Sequence, residues 1–324
     1  MRRAFHVPLF PLFALVPLVL AIAGEATATE AAPGAGPPAE APASPAPAPY
    51  SLPFQLRPAA AVSVARWDST LALYEGPSPA EEAAHTVVST VLVSYKVTDH
   101  IAPFLRGGLV SNSPPAGDGA TGMTNPIVGV MYGRPLGGAL RFSATAGVAL
   151  PLASGAGNDP DPAAKLARSS GVPARASLDN ALFAGNDLVL FPGVDLAWVK
   201  GGVTIQVEAT VLQLLQLRGD ERAQPDDSRT NLTGGLHVGY FLLPELSLGA
   251  ELRHQRWLST PKDVAAPGGA PRRDTTTVAI GPRAHLPLGS GRFLRPGLSY
   301  ARGLDAPMTD ARYHLVQLDV PFLF

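Results

Sequence analysis

The sequence contains no cysteine. Disulfides, thiolate metal sites, cysteine nucleophiles and lipid attachment through an N-terminal cysteine are therefore excluded. Charge is also scarce. Asp, Glu, Lys and Arg make up 16% of the 324 residues and the net charge is −1, so the basic excess of a nucleic-acid-binding chain is missing. Past residue 23, no apolar run approaches the ~20 uninterrupted residues of a membrane helix. There is no metal-ligand spacing, P-loop or nucleophile elbow, so neither a cofactor nor a metal is expected. If this chain enters a membrane, it must cross with strands.

Glycine (33) and proline (34) are both plentiful, and the first residues read as an address. Arg2 and Arg3 precede an apolar stretch from Val7 to Ala23 that is interrupted by Pro8, Pro11 and Pro17. Small residues at Ala21-Ile22-Ala23 and Ala26-Thr27-Ala28 offer cleavage motifs, so residues 1–28 are expected to be a secretory signal peptide. Residues 29–50 are almost entirely Ala, Pro, Gly and Glu, too poor in large apolar side chains to build a core, and read as a linker. Residues 51–324 are expected to form one all-β domain.

About 12 strands can be traced in that domain, with none of the 3.6-residue periodicity of helices. They span 53–70, 84–97, 101–111, 124–133, 138–152, 187–199, 202–218, 229–242, 245–258, 274–286, 292–303 and 312–324. Val203, Ile205, Val207, Ala209 and Val211 alternate with Thr204, Gln206, Glu208 and Thr210. Leu140, Phe142, Ala144, Ala146 and Val148 alternate with Arg141, Ser143, Thr145 and Gly147. Strand side chains point to opposite faces in turn, so each strand has one apolar and one polar face. The connections alternate as well. Short turns near 98–100, 134–137, 200–201, 243–245 and 287–291 interleave with longer loops at 71–83, 112–123, 153–186, 219–228, 259–273 and 304–311. Short turns at one end and long loops at the other are the arrangement of a transmembrane up-and-down barrel. Tyr95, Tyr132, Trp198 and Tyr240 each fall on the apolar face just before a short turn, where amphipathic rings favour a membrane interface.

The last residues carry a resemblance. Phe324, Phe322, Val320, Leu318 and Val316 share one strand face, and the chain ends on the aromatic. This ending resembles the C-terminal assembly signal of Gram-negative outer-membrane β-barrels. The resemblance implies an integral outer-membrane protein with both termini periplasmic. It also implies the barrel assembly machinery, outer-membrane lipid and lipopolysaccharide as partners. The passage Leu150-Pro151-Leu152-Ala153-Ser154-Gly155, together with the strand content, loosely resembles outer-membrane uptake channels linked to aromatic-compound degradation.

Function then falls to the inward face. Its charged positions are Lys96, Arg106, Arg141, Asp195, Glu208, Glu251, Arg253, Arg283, Arg295 and Asp319, six cationic against four anionic. The leading expectation is a passive path for small solutes with a mild preference for anions, because a narrow, low-dielectric path focuses the field of its lining charges. Glu251 and Arg283 are expected to pair. A lumen closed by paired side chains, giving a structural or surface-interaction barrel, is the alternative. A lipid-modifying barrel enzyme is a third reading, with His254 and His314 on the lipid-facing phase, although no serine stands opposite either. Loop 153–186 is the longest connection. Asp161-Pro162 reads as the start of a helix stopped near Gly171, with a second helix from Ser177, and the loop is expected either to fold over or into the lumen as a constriction or to be a mobile surface flap.

Overall fold

The computed structural model describes residues 49–75, 84–219 and 228–324. The expected signal peptide, most of the linker and the acidic residues Asp220, Glu221, Asp226 and Asp227 lie outside the described residues. Twelve strands make the wall. They are β1 (Val64–Tyr74), β2 (Ala84–Ser94), β3 (Ile101–Ser113), β4 in two pieces (Ala120–Met123 and Ile127–Gly137) and β5 (Leu140–Ala149). Then come β6 in two pieces (Asp187–Leu190 and Gly193–Lys200), β7 (Val203–Gln216), β8 (Ser228–Leu243) and β9 (Leu246–Trp257). The last are β10 (Asp274–Ala284, continued by Leu286–Gly289), β11 (Arg292–Leu294 and Gly297–Gly303) and β12 (His314–Leu323). Each pairs antiparallel with the next, and β12 returns to β1 from Val64↔Leu323 to Leu73↔His314. The sheet is thus a closed barrel with no free edge, the arrangement that satisfies every backbone N–H and C=O where no water can.

The alternating pattern sorts onto the two faces as read. In β6, Asp195, Ala197 and Val199 are buried inside while Val194, Leu196 and Trp198 are exposed outside. In β12, Leu315, Gln317 and Asp319 point inward, whereas Val316 and Leu318 are exposed. The outer wall is a band of Leu, Val and Ile, with Tyr95, Trp198 and Tyr240 exposed and Tyr132 half-exposed near its short-turn end. Among the described residues no helix is long and apolar enough to cross a membrane. The β6–β7 turn shows why glycine punctuates the short-turn end. Lys200 pairs with Val203, and the two residues between them, Gly201 and Gly202, have φ of 59° and 80°. A two-residue hairpin with a type I′ turn, matched to strand twist, needs this left-handed backbone at both positions.

The first strand departs from expectation. The wall begins at Val64, not at residue 53, and residues 50–63 run inside the barrel without joining the sheet. Tyr50, Phe54, Leu56 and Ala59 are buried there. Pro53 and Pro58 supply no N–H to a ladder, and the other polar groups of this stretch are taken by wall side chains. Its apolar spacing is that of a strand, but the surface it packs against is the lumen.

Loop 153–186 enters the lumen from the opposite end. Helix α1 (Pro162–Ala174) starts at Asp161, whose carboxylate accepts the N–H groups of Ala163 (3.1 Å) and Ala164 (3.4 Å). It runs through Gly171 instead of stopping there. The Phe183 ring lies so close that a Cβ on Gly171 would sit 2.2 Å from the ring's Cε1. The glycine is there for close packing, not termination. The second helix, α2 (Asn180–Phe183), is a single turn that begins three residues later than expected. Leu182 and Phe183 join Val88, Val110, Ile127, Val189, Phe191, Leu212 and Leu214 in an apolar core within the loop-end half of the barrel.

Candidate functional site

The lumen of the barrel is the candidate site, and it is filled. The loop-end half is narrowed by apolar packing and the turn-end half is occupied by a polar network around residues 50–63. The network is built from wall side chains that receive the backbone of the inner segment. Glu251 on β9 accepts the N–H groups of Phe54 and Gln55, the latter at 3.2 Å. Glu208 on β7 accepts the Arg57 N–H at 2.6 Å. The Ser51 N–H donates to Thr204 Oγ1 at 3.0 Å, and Tyr50 donates its hydroxyl to Gln206. Arg283 on β10 donates to the carbonyls of Leu52 and Pro53, both at 3.0 Å, and Gln317 donates to the Phe54 carbonyl at 3.0 Å. Backbone polar groups that would pair along a ladder in a wall strand are thus satisfied by side chains.

The charges form a chain of ion pairs. Asp319 takes both terminal nitrogens of Arg283 at 2.9 Å and lies 3.4 Å from Arg66. Arg66 also pairs with Asp68 at 3.0 Å, and Arg253 with Glu251 at 2.7 Å. Arg57 lies 2.9 Å from Glu208 and 4.0 Å from Asp195. The two inserts meet where Gln55 donates to the Arg175 carbonyl at 2.6 Å. Just beyond, Asp179 binds Arg106 at 2.8 Å and Arg175 at 2.8 Å. Burial opposes ionisation of Asp179, but the two guanidiniums outweigh it and hold its carboxyl below the usual range. A cavity of about 120 Å³ remains at this junction, lined by apolar Leu56, Phe104, Ile127, Met131 and Leu182 and by the charged Arg57, Arg66, Arg106, Asp179 and Glu208.

The structure places most of the expected lumen residues inside. Arg106, Asp195, Glu208, Glu251, Arg253, Arg283 and Asp319 all join the network. Arg141 faces inward with its guanidinium over the Tyr50 ring, 5.2 Å from the centroid, and Arg295 packs over Phe293. Lys96 does not belong to the wall. It follows the end of β2 at Ser94, is exposed, and pairs with Asp99 at 3.4 Å. Glu251 and Arg283 do not pair either. Register sets Glu251 opposite Ala279 and Arg283 opposite Ser247, four residues apart along the strand, so each finds another partner.

Sequence reasoning missed Arg57, Arg66, Asp68, Arg175 and Asp179. Arg66 and Asp68 share a phase with Thr70 and Ala72, and that alternation is the signal in the sequence. Arg175 and Asp179 stand four residues apart, the spacing of a helical ion pair, although the chain turns out of α1 between them. The histidines on the outer wall are engaged by hydroxyls other than serine. His254 Nδ1 lies 3.0 Å from Thr276 Oγ1, and His314 Nδ1 lies 2.6 Å from the Tyr300 hydroxyl.

No family model and no curated protein matches this sequence. Barrels of known structure are similar in fold. An outer membrane channel from Pseudomonas putida F1 is 12% identical, with a TM-score of 0.49, over 84% of this chain and 98% of that chain. The NanC porin is 8% identical, with a TM-score of 0.45, over 80% of this chain and 98% of that one. The translocator domain of the autotransporter NalP from Neisseria meningitidis is 14% identical, with a TM-score of 0.44, over 82% and 89%.

Proposed function

We propose that this chain is an integral outer-membrane barrel that conducts small solutes passively when the inner segment leaves the lumen. The carrying observation is how residues 50–63 are held. Their backbone is bound to wall side chains by individual polar contacts, with no continuous ladder. A strand in the sheet can leave only by breaking the barrel, whereas this segment can leave with every wall pairing intact. The path it uncovers is lined by polar and charged groups and opens onto the cavity at the junction. Single-channel recording of the refolded full-length chain tests the reading. Brief openings on a closed baseline are expected, and a permanently silent barrel supports the structural alternative, which the apolar packing of Leu182 and Phe183 favours.

Membrane placement has its own tests. Phe322 lies on the outward phase of β12, next to the chain end. Phe322→Asp is expected to reduce the amount of heat-modifiable, membrane-inserted protein sharply, because charge on the lipid face is costly and the aromatic phase of the terminus is lost. Insertion at wild-type levels overturns the assembly role of this residue. With both termini on the short-turn side, tags at residues 160 and 266 are expected to be cleavable by protease on whole cells. A tag within 134–137 is expected to be protected, and surface cleavage there reverses the orientation.

A further inference from the structure

Arg57 occupies a pocket in the wall that is made for a cation. Asp195 and Glu208 stand directly opposite each other on β6 and β7, and their side chains are 0% and 8% exposed. Two carboxylates at such a spacing repel unless a cation lies between them or they share a proton. Here the guanidinium of Arg57 reaches Glu208 Oε1 at 2.9 Å and Asp195 Oδ2 at 4.0 Å, and donates to Thr210 Oγ1. Ser143 donates to Asp195 at 3.0 Å and orients it. The other cation nearby, Arg141, lies over the Tyr50 ring, so it too faces the inner segment.

Two further observations point to a ligand at this place. Gly193 lies between Thr145 on β5 and Thr210 on β7 in the register, and a Cβ on it would fall 2.6 Å from Arg57 Nη2. The missing side chain is the space that the guanidinium fills. Thr145, 3% exposed, points into the lumen opposite that glycine, and its hydroxyl has no hydrogen-bond partner. The site therefore holds a hydroxyl that Arg57 does not use, and Arg57 Nε makes no hydrogen bond. With its side chain 22% exposed, Arg57 is also more accessible than either carboxylate it pairs with.

We infer that the Asp195–Glu208 pocket is the binding site for a small solute bearing a guanidinium or primary ammonium group, and that Arg57 is its tethered stand-in. The inference rests on the channel reading for its role in transport, but the binding itself does not. A solute that takes the pocket only when Arg57 is out pulls the equilibrium toward the withdrawn segment, by its differential affinity for the two states. Entry of the right solute and opening of the lumen then become one event. The wall cations Arg66, Arg253 and Arg283 have carboxylate partners on the wall. The pair at Asp195 and Glu208 instead takes its cation from the inner segment.

Calorimetry on the full-length chain in detergent tests this with agmatine, and with butylurea as an uncharged analogue. Arg57→Gln removes the internal competitor and is expected to bind agmatine about tenfold more tightly than the wild type. Adding Asp195→Asn is expected to weaken that binding about tenfold or more, as loss of a charge-assisted contact should. Should the double variant fail to show folded, heat-modifiable mobility, Glu208→Gln in its place serves the same purpose. Equal affinity in wild type and Arg57→Gln, indifference to the carboxylate substitutions, or equal binding of butylurea overturns the site. Bilayer recordings of the same proteins separate the two proposals. Agmatine binding of the expected pattern in a barrel that never conducts keeps the site and discards the channel. Conduction without agmatine binding keeps the channel and discards the site.

Discussion

Deleting residues 51–60 is expected to raise the ionic current through each barrel from rare openings to a sustained open level. The deletion removes the backbone that Glu208, Glu251, Arg283 and Gln317 hold across the turn-end half of the lumen, and it leaves all twelve wall strands in place. A graded version of the same experiment is Glu251→Gln. It loosens the charge-assisted contacts to Phe54 and Gln55, and a loss of about 1.5–3 kcal/mol there raises the withdrawn population by about ten- to a hundredfold. The loop-end half is narrowed separately by α1, α2 and their apolar contacts. Deleting residues 162–183 as well is therefore expected to raise the current further. If the first deletion changes nothing and the second opens the barrel, the gate is the loop and not the inner segment. If a folded barrel lacking both stays silent, the wall itself is closed and the structural reading stands. Heat-modifiable mobility in each variant establishes that the barrel is folded.

Asp319→Ala is expected to destabilise the barrel by about 3–5 kcal/mol, the cost of leaving a buried charge without its partner. Asp319 is fully buried and holds Arg283 by two hydrogen bonds of 2.9 Å, with Arg66 at 3.4 Å. Removing its carboxylate leaves Arg283, itself 1% exposed, with carbonyl partners but no anion. Arg66 keeps Asp68 and suffers less. The loss is read from the urea midpoint of the refolded chain, or from the temperature at which its compact gel mobility disappears. The double variant Asp319→Leu/Arg283→Met is expected to recover much of the stability, since an apolar pair of similar volume often replaces a buried ion pair without loss. A single variant within about 0.5 kcal/mol of the wild type would mean that water reaches Arg283 and that the turn-end half of the lumen is wet.

Most of the wall was legible in the sequence. A strand shows one face to the outside and one to the inside, so Val194, Leu196 and Trp198 alternating with Asp195 and Ala197 declare their faces without any tertiary information. The turns were legible too, because Gly201-Gly202 supplies a backbone that other residues resist. The placement of Asp195, Glu208, Glu251 and Asp319 inside follows from the same alternation. Their partners did not follow. Register between strands separated Glu251 from Arg283, and closure of β12 on β1 brought Arg66 to Asp319 across the two ends of the domain.

The sequence by itself determined that this domain is all-β, which side chains face outward and which inward, and where the chain turns tightly, because all three depend on residues within a few positions of one another. Only the tertiary structure decided that residues 50–63 lie in the lumen instead of in its wall. Phe54 and Leu56 alternate as strand residues do, and a two-residue period records that a segment is extended and partly buried, not what buries it. The choice was made by Glu208 and Glu251, more than 140 residues away, which could satisfy the N–H groups of Phe54, Gln55 and Arg57 once the barrel had closed around them.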